Sequence, residues 1–192
     1  MSKNKTTVSG GAGAVGILVV IGFILVVVGF LLLNSFTVVD AGTRGVVRTF
    51  GEVTDIYGEG LHFRAPMITD VIVVDVRTQR HQSDSSAASR DLQIVQAQVV
   101  LNYRPDATKV DSLVRDIGTD YVNVVVDPAI QESVKAATAK FTAEQLITQR
   151  PEVSGEIREV LEARLSSRGI IVEDLSITDF QFSEEFRKAI EA

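Results

Sequence analysis

The sequence predicts an α+β protein in which a single transmembrane helix precedes the folded domain. An uncharged apolar run near the N-terminus predicts the helix. Farther along the chain, apolar residues alternate with polar ones as in strands, and then recur at helical spacing. Because strands come first, then helices and a final strand, we expect helices packed on an antiparallel or mixed sheet.

The predicted transmembrane helix is Ala12–Leu33, preceded by a polar tail, residues 1–11. Sixteen of its 22 residues are Val, Ile, Leu or Phe, and the others are Gly or Ala. As a helix it would be about 33 Å long, against a hydrocarbon core of about 30 Å. The side chains predicted to anchor the chain are Ile17, Leu18, Val19, Val20, Ile21, Phe23, Ile24, Leu25, Val26, Val27, Val28, Phe30 and Leu31.

Two other interpretations of this run are a buried helix of a soluble protein and a cleaved signal peptide. The apolar run is longer than the 7–15 residues typical of signal peptides, and residues 31–36 contain no small-residue cleavage pattern. Lys3 and Lys5 lie before the run and Arg44 and Arg48 after it. The balance of these charges slightly favours an N-terminus in the cytoplasm.

Two sets of glycines lie in and just before the apolar run, and each could be interpreted as a functional motif. Residues 11–16 match the G-x-G-x-x-G pattern, but no strand precedes them and the next acidic residue is Asp40, beyond the run. Dinucleotide binding is therefore not predicted. Gly22 and Gly29 are either a close-packing face for another span or ordinary membrane-helix glycines.

A strand-rich first lobe is predicted over residues 36–82. Phe36–Val39 leads into a turn at Asp40–Gly42, and residues 71–76 are a β-branched run. The polar, serine-rich stretch Gln82–Arg90 is predicted to be an exposed connection.

A second lobe of helices and strands is predicted over residues 91–182. Its clearest strand, residues 91–103, places five apolar residues on one face at period two. They are Val95, Ala97, Val99, Leu101 and Tyr103. Gly169 ends the last helix of this lobe, and Ile170–Phe182 is predicted to return to strand.

Helical spacing between these two strands predicts three or four helices. Apolar residues at 110, 113, 114 and 117 predict the first, and Asp127 is expected to cap a second helix with Pro128 in its first turn. Thr142 and Gln145 match a capping box for a short third helix. Residues 153–165 carry the stripe of a longer one.

Residues 183–192 are predicted to begin a C-terminal helix. Ser183 is the expected N-cap, and Glu184 and Glu185 would complement the helix dipole. A helix of about nine residues is marginal alone. Either it packs on the domain through Phe186 and Ile190, or the natural chain continues beyond Ala192, which the missing stop signal favours.

The composition and motifs of the chain argue against nucleic-acid binding, metal binding and catalysis. The net charge is −6 and all 25 acidic residues lie at or beyond Asp40, so nucleic-acid binding is not predicted. The chain has no cysteine, and its two histidines, His62 and His81, are not in metal-ligand spacing. Since no catalytic motif occurs, we predict no enzymatic activity and no catalytic, cofactor or metal residue.

Six sequence blocks resemble the prohibitin branch of the SPFH (stomatin, prohibitin, flotillin; band 7) family. They occur in the family's order over roughly residues 36–192. The blocks are 39–42, 58–63, 91–93, 103–105, 141 with 144–150, and 185–186 with 189–192.

The resemblance implies an SPFH domain on a membrane anchor and a non-enzymatic scaffold that assembles into large rings or cages. It implies homo-oligomers or hetero-oligomers with related subunits, and association with a membrane-bound ATP-dependent protease. Members carry a long helix after the domain, which makes Glu184, Glu185, Phe186 and Ile190 candidate oligomer contacts. We expect a bacterial cell (inner) membrane with a cytoplasmic N-terminus, or alternatively the mitochondrial inner membrane.

Two other functions are open from the residues alone: a single-span receptor or substrate-binding domain outside the membrane, and a membrane enzyme. Ile56, Tyr57 and Ile68 of the first lobe either rest on the lipid surface or pack in the core, and the core interpretation is favoured.

Overall fold

The computed structural model describes residues 10–182, with side-chain environments from residue 16 onward. It confirms the α+β class, with an apolar helix ahead of a strand-rich domain. The elements in chain order are α1 (Gly10–Leu33), β1 (Phe36–Val39), β2 (Thr43–Thr49), β3 (Glu52–Tyr57), β4 (Gly60–Phe63), β5 (Thr69–Asp75), β6 (Gln79–Ala88), β7 (Ile94–Pro105), α2 (Val110–Asp116), a π-helical segment (Val122–Val126), α3 (Asp127–Thr138), α4 (Ala143–Thr148), α5 (Arg150–Ser166) and β8 (Ile170–Phe182).

The first five strands form two small antiparallel sheets. β1 pairs with β4, and β2 lies between β3 and β5. Val46, at the centre of β2, is opposite Ile56 on one side and Ile72 on the other. Val46 and Val74 are buried, so the β3-β2-β5 sheet turns an apolar face inward.

The exposed connection predicted at Gln82–Arg90 is wrong, because β6 occupies most of it. β6 pairs with β7 from Gln79 opposite Tyr103 to Ala88 opposite Ile94. Its inward side chains are the buried residues Ser83, Ser85 and Ala87. Small side chains let α3 pack closely on the strand, which is why the strand lacks an apolar alternation in the sequence.

The core of the second lobe lies between the β6-β7-β8 sheet and the helices α3 and α5. All five β7 residues predicted to share a face are buried there. Ile130 and Val134 of α3 and Leu161 and Leu165 of α5 cover them and are fully buried. The predicted strand at the end of this lobe is confirmed as β8 over Ile170–Phe182.

Helix α2 joins the two lobes. Val110 and Val114 pack in one cluster with Val46 and Val74 of the first lobe. Leu113 belongs instead to the core of the second lobe. The apolar residues predicted as a single stripe therefore split between two cores.

The predicted N-cap at Asp127 is wrong, because a π-helical segment, Val122–Val126, already leads into the helix. Val126 occupies the cap position and has helical backbone torsions. The Asp127 carboxylate instead accepts a hydrogen bond from Gln131 Nε2 at 2.9 Å. The capping box is confirmed: Thr142 Oγ1 accepts from Gln145 N at 3.3 Å, and Gln145 Oε1 accepts from Thr142 N at 3.0 Å.

Candidate membrane and assembly surfaces

Helix α1 is long and apolar enough to cross a membrane, by length and composition, over Gly16–Leu33. No residue of this stretch is fully buried inside the protein. Of the predicted anchor side chains, those from Ile17 to Phe30 are exposed and Leu31 is half-buried. A surface this apolar is solvated well by lipid and poorly by water, so the anchor role remains the prediction for these residues.

The end of α1 is tied to the first lobe through Ser35. The Ser35 side chain is buried and its Oγ donates to the Leu31 carbonyl at 2.6 Å. The Ser35 carbonyl accepts from the Arg64 backbone N–H at 2.7 Å. Because Arg64 directly follows β4, these bonds hold the β1–β4 pair at the end of the helix.

Exposed apolar side chains cluster near this junction, and we call them the first-lobe patch. Its members are Phe36 and Val38 of β1, Leu61 and Phe63 of β4, and the loop residues Phe50, Met67 and Ile68. Phe36 is opposite Phe63, with the ring centroids 5.9 Å apart in an edge-to-face arrangement. The Phe50 backbone N–H donates to the Ile68 carbonyl at 2.9 Å.

Two residues of the first-lobe patch have uncommon backbone torsions. Phe50 has φ 52° and Met67 has φ 74°, in the left-handed region that residues with a Cβ rarely adopt. Their side chains are 82% and 93% exposed. Two largely exposed apolar side chains therefore sit on backbone torsions that residues with a Cβ rarely adopt.

Ion pairs lie beside the patch. Arg48 of β2 pairs with Asp70 of β5, and this hydrogen bond lowers the pKa of the Asp70 carboxyl. Arg44 pairs with Glu59, whose pKa is lowered first by a hydrogen bond from the Gly42 backbone N–H and then by Arg44. Both pairs are largely exposed and contribute little to stability on their own.

The two histidines have structural partners. His62 Nε2 hydrogen-bonds the Gly58 carbonyl at 2.7 Å, and its ring stacks on Tyr57 with the centroids 4.4 Å apart. His81 Nε2 lies 3.2 Å from Asp127 Oδ1. Among residues 10–182, no group of three or more His, Cys, Asp or Glu side chains could hold a metal ion.

A depression of 420 Å³ lies on the face of the β6-β7-β8 sheet that carries Asp84, Gln98 and Asp179. Both of its carboxylates accept a hydrogen bond from a neighbouring amide: Gln98 Nε2 donates to Asp84 at 3.0 Å, and Gln181 Nε2 donates to Asp179 at 2.9 Å. These two carboxylates are therefore already engaged within the sheet.

Sequence reasoning found only part of the first-lobe patch. Of the three residues weighed for lipid contact, Ile56 packs on the buried Val46 cluster and Tyr57 is half-buried, while Ile68 is exposed. The other six members were missed. Phe36 with Val38, and Leu61 with Phe63, show the period-two signal that could have identified one face of a strand pair.

The candidate oligomer contacts Glu184, Glu185, Phe186 and Ile190 lie outside the described residues, as does the predicted helix at 183–192.

Comparison with known proteins gives consistent matches. The SPFH domain / Band 7 family model matches residues 37–192. The chain is similar to "Prohibitin-2, mitochondrial" of Arabidopsis thaliana, with 38% identity over 194 residues, 100% of this chain and 68% of the relative. For "Prohibitin-1, mitochondrial" of the same plant the identity is 34% over 194 residues, 100% of the chain and 67% of the relative.

A relative from Saccharomyces cerevisiae, "Prohibitin-2", is 38% identical over 174 residues, 89% of this chain and 56% of the relative. The chain thus spans about two thirds of the two plant relatives and about half of the yeast one.

The expected bacterial cell membrane is contradicted by these matches. The names of the two Arabidopsis relatives place them in mitochondria, and the third relative is also eukaryotic. The residues gave no ground for choosing between the two membranes, because the charge asymmetry around the span bears only on which side the N-terminus faces.

The family model covers well over half of the chain, and relatives at 34–38% identity align with nearly all of it, so the chain belongs to the SPFH domain / Band 7 family.

Proposed function

We propose that the protein is a membrane-anchored scaffold subunit without enzymatic activity. In this proposal it assembles into rings or cages in the mitochondrial inner membrane, with copies of itself or with related subunits. The assembly would organise the enclosed membrane patch and an associated ATP-dependent membrane protease. Family membership supports the scaffold role, and numbered relatives within one organism, such as Prohibitin-1 and Prohibitin-2 of Saccharomyces cerevisiae, support related subunits.

The observation that carries this proposal is the continuity of α1 with the first-lobe patch. Ser35 lies two residues after α1 and its carbonyl accepts from the Arg64 backbone N–H, so Phe36 and Phe63 lie within a few residues of the exposed apolar surface of α1. Full burial of an exposed Phe or Leu side chain stabilises by about 1.5–3 kcal/mol. The patch therefore lets the first lobe contact the bilayer surface directly, in addition to its connection through α1.

A scaffold role also agrees with the polar groups of the domain. Both histidines make structural contacts, and the two carboxylates of the sheet depression already accept hydrogen bonds from neighbouring amides. A receptor or substrate-binding domain would need polar groups free to meet a ligand. A domain without such a site can still act by repetition, because adjacent copies at a bilayer confine what lies between them.

Particle size tests the assembly. The full-length protein, extracted in a mild detergent, is expected to elute as a very large particle whose protein mass, by light scattering, corresponds to many copies. A monomer or dimer would overturn the scaffold proposal and favour the receptor alternative. Co-purification of an ATP-dependent membrane protease, identified by mass spectrometry, is expected in the same particle.

Tryptophan fluorescence tests the lipid contact, because the chain contains no tryptophan. A single Phe63→Trp substitution is expected to be quenched by lipids brominated near the headgroup. Val124→Trp is the matched control, since Val124 is an exposed apolar residue of the second lobe. Equal quenching of the two variants, or none in Phe63→Trp, would show that the first-lobe patch does not meet lipid.

A further inference from the structure

One arginine of the first lobe has no acidic partner among residues 10–182, which the structure describes. Four arginines lie in residues 36–77. Three of them form salt bridges with carboxylates: Arg44 with Glu59, Arg48 with Asp70, and Arg77 with Asp75. The fourth, Arg64, makes neither a salt bridge nor a side-chain hydrogen bond within the same residues, and its Nε is buried without a partner.

Arg64 lies at the level where helix α1 ends. Its backbone N–H donates to the Ser35 carbonyl at 2.7 Å, and Ser35 follows α1 by two residues. With α1 across the bilayer, as proposed above, Arg64 lies in the headgroup region beside the hydrocarbon core. Lipid phosphates are the anions of that region.

Apolar members of the first-lobe patch flank Arg64 along the chain. Phe63 precedes it and Met67 follows three residues later, and both side chains are largely exposed. Arg64 itself is half-buried: its Nε is enclosed, whereas its two terminal nitrogens are not. The side chain therefore has an enclosed stem and an accessible charged end beside the patch, the arrangement by which arginine reaches a membrane interface.

The neighbouring carboxylate of Asp70 does not cancel the charge of Arg64. The pKa of Asp70 is lowered chiefly by the hydrogen bond from Arg48, and the attraction of Arg64 lowers it least. Two guanidinium groups thus share one carboxylate, which leaves one positive charge in excess among these three side chains. This excess attracts an anion even though the whole chain carries a net charge of −6.

A phospholipid phosphate fits this combination of charge and apolar surface. A guanidinium donates paired hydrogen bonds to the oxygens of a phosphate group. The acyl chains that accompany the phosphate can contact Phe63 and Met67, which a soluble anion cannot do. An anionic phospholipid suits the position better than a zwitterionic one, because a zwitterionic headgroup brings its own cation close to Arg64.

We propose that Arg64 binds the phosphate of an anionic phospholipid whose acyl chains lie against Phe63 and Met67. The first lobe then selects the lipid that lies beside the anchor, in addition to touching the bilayer. This inference rests on the lipid contact proposed above for the first-lobe patch, and it names the class of lipid and the residue that selects it.

Tryptophan fluorescence tests the selection next to Arg64, with Phe63→Trp as the reporter. The full-length variant is reconstituted in two phosphatidylcholine bilayers with the same fraction of brominated lipid, which is phosphatidylglycerol in one and phosphatidylcholine in the other. Brominated phosphatidylglycerol is expected to quench more strongly, with an association about fivefold tighter. This factor corresponds to about 1 kcal/mol for one basic residue at an anionic membrane surface.

Substitutions of Arg64 in the reporter chain test whether this residue is responsible. Arg64→Gln is expected to remove the preference for phosphatidylglycerol, and Arg64→Lys, which keeps the charge, is expected to retain part of it. A preference that persists in a folded Arg64→Gln variant would overturn the proposal. The circular dichroism spectrum and the unfolding midpoint show whether each variant is folded.

Arg90→Gln is the matched control, because it removes the same charge from the second lobe. The Arg90 guanidinium contacts the Lys140 carbonyl at 3.5 Å and forms no salt bridge in the described part of the chain. The reporter chain with Arg90→Gln is expected to prefer phosphatidylglycerol as strongly as without it. An equal loss in Arg64→Gln and Arg90→Gln would show that only the net charge of the protein matters, and would overturn the role of Arg64.

The reporter separates failure of this inference from failure of the proposed lipid contact. Equal quenching of Phe63→Trp by the two brominated lipids would overturn the selection by Arg64 and leave the lipid contact standing. Quenching by neither lipid would overturn both. These two outcomes require no substitution at Arg64, so they hold even if Arg64→Gln does not fold.

Inorganic phosphate distinguishes a lipid headgroup from a free anion. It is added to the reconstituted reporter, and sodium chloride of equal ionic strength is the comparison. The preference for phosphatidylglycerol is expected to be the same in both salts, because inorganic phosphate gains nothing from contact with Phe63 and Met67. A preference that phosphate abolishes and chloride preserves would assign Arg64 to a soluble phosphate and overturn its assignment to lipid.

Discussion

Arg77 lies directly against Gly42: a Cβ atom placed on Gly42 would be 2.6 Å from Arg77 Cδ. The Val76 backbone N–H donates to the Gly42 carbonyl at 3.0 Å. Arg77 also pairs with Asp75, and this hydrogen bond lowers the pKa of the Asp75 carboxyl. The turn after β1 and the end of β5 therefore interlock where the chain passes from one lobe to the other.

Gly42→Ala is expected to destabilise the protein by about 1–2 kcal/mol, because φ at Gly42 is +80° and an alanine there is strained. The added methyl group also displaces Arg77 from its place beside Asp75. Urea unfolding of the detergent-solubilised full chain, followed by circular dichroism, measures the change. The control is Gly58→Ala, because Gly58 has open space around its Cα. Equal losses in both variants would contradict the role given to the Gly42 turn.

The valine cluster on α2 is expected to couple the stabilities of the two lobes. Val110 is buried against Val46, so Val110→Ala removes apolar volume from the contact between lobes and costs about 2 kcal/mol. In a double-mutant cycle, Val46→Ala and Val110→Ala are expected to couple by at least about 0.5 kcal/mol. The free energies of unfolding of the four full-length proteins give this coupling.

Leu161→Ala supplies the comparison for this cycle, since Leu161 is buried in the second-lobe core and not in the valine cluster. Its effect is expected to add to that of Val46→Ala within about 0.5 kcal/mol. If Val46 and Val110 were also additive, the lobes would be joined by the chain and not by packing on α2.

Periodic segments of the fold were predictable from sequence because one strong local signal determined each. The five inward residues of β7 alternate without interruption, and α5 carries an unbroken apolar stripe up to Gly169. The capping box at Thr142 depends on contacts within four residues, so it can be recognised from the local sequence alone.

The wrong predictions concern segments whose structure depends on contacts with distant parts of the chain. The inward face of β6 carries Ser83 and Ser85, and only the close approach of α3 makes these small residues suitable for a core. The helix before Asp127 begins in a run of valines, which have low helix propensity, so the cap was placed one segment too late. Phe50 became a candidate contact residue only when the fold showed it exposed.

Acid is expected to remove a stabilising contribution from Asp127. Hydrogen bonds from Ser83, then from His81, lower the pKa of this carboxyl below its unfolded value of about 3.9. A carboxyl with a depressed folded pKa stabilises the protein above its unfolded pKa, and this contribution is lost as the pH falls through the folded pKa. Stability measured from pH 6 downward is therefore expected to fall below about pH 4 more steeply in the wild type than in Asp127→Asn.

The control for this titration is Asp116→Asn, because Asp116 of α2 has no hydrogen bond or salt bridge to another side chain in the described chain. It is expected to retain the wild-type dependence on pH. If Asp127→Asn showed the same slope as the wild type below pH 4, the contacts of Asp127 with Ser83 and His81 would not stabilise the folded state.

Thr142→Ala is expected to destabilise the protein by about 1 kcal/mol, because Thr142 Oγ1 accepts the otherwise unpaired Gln145 backbone N–H. The neighbouring Ala143 backbone N–H donates to Asp91 Oδ1 at 3.0 Å, so loss of the cap is also expected to loosen the turn between β6 and β7. Hydrogen exchange at the Ala143 and Gln145 amides is expected to accelerate. Thr148→Ala, at the other end of α4, is the matched control. Unchanged exchange at Ala143 in Thr142→Ala would show that the cap of α4 and the turn between β6 and β7 are independent.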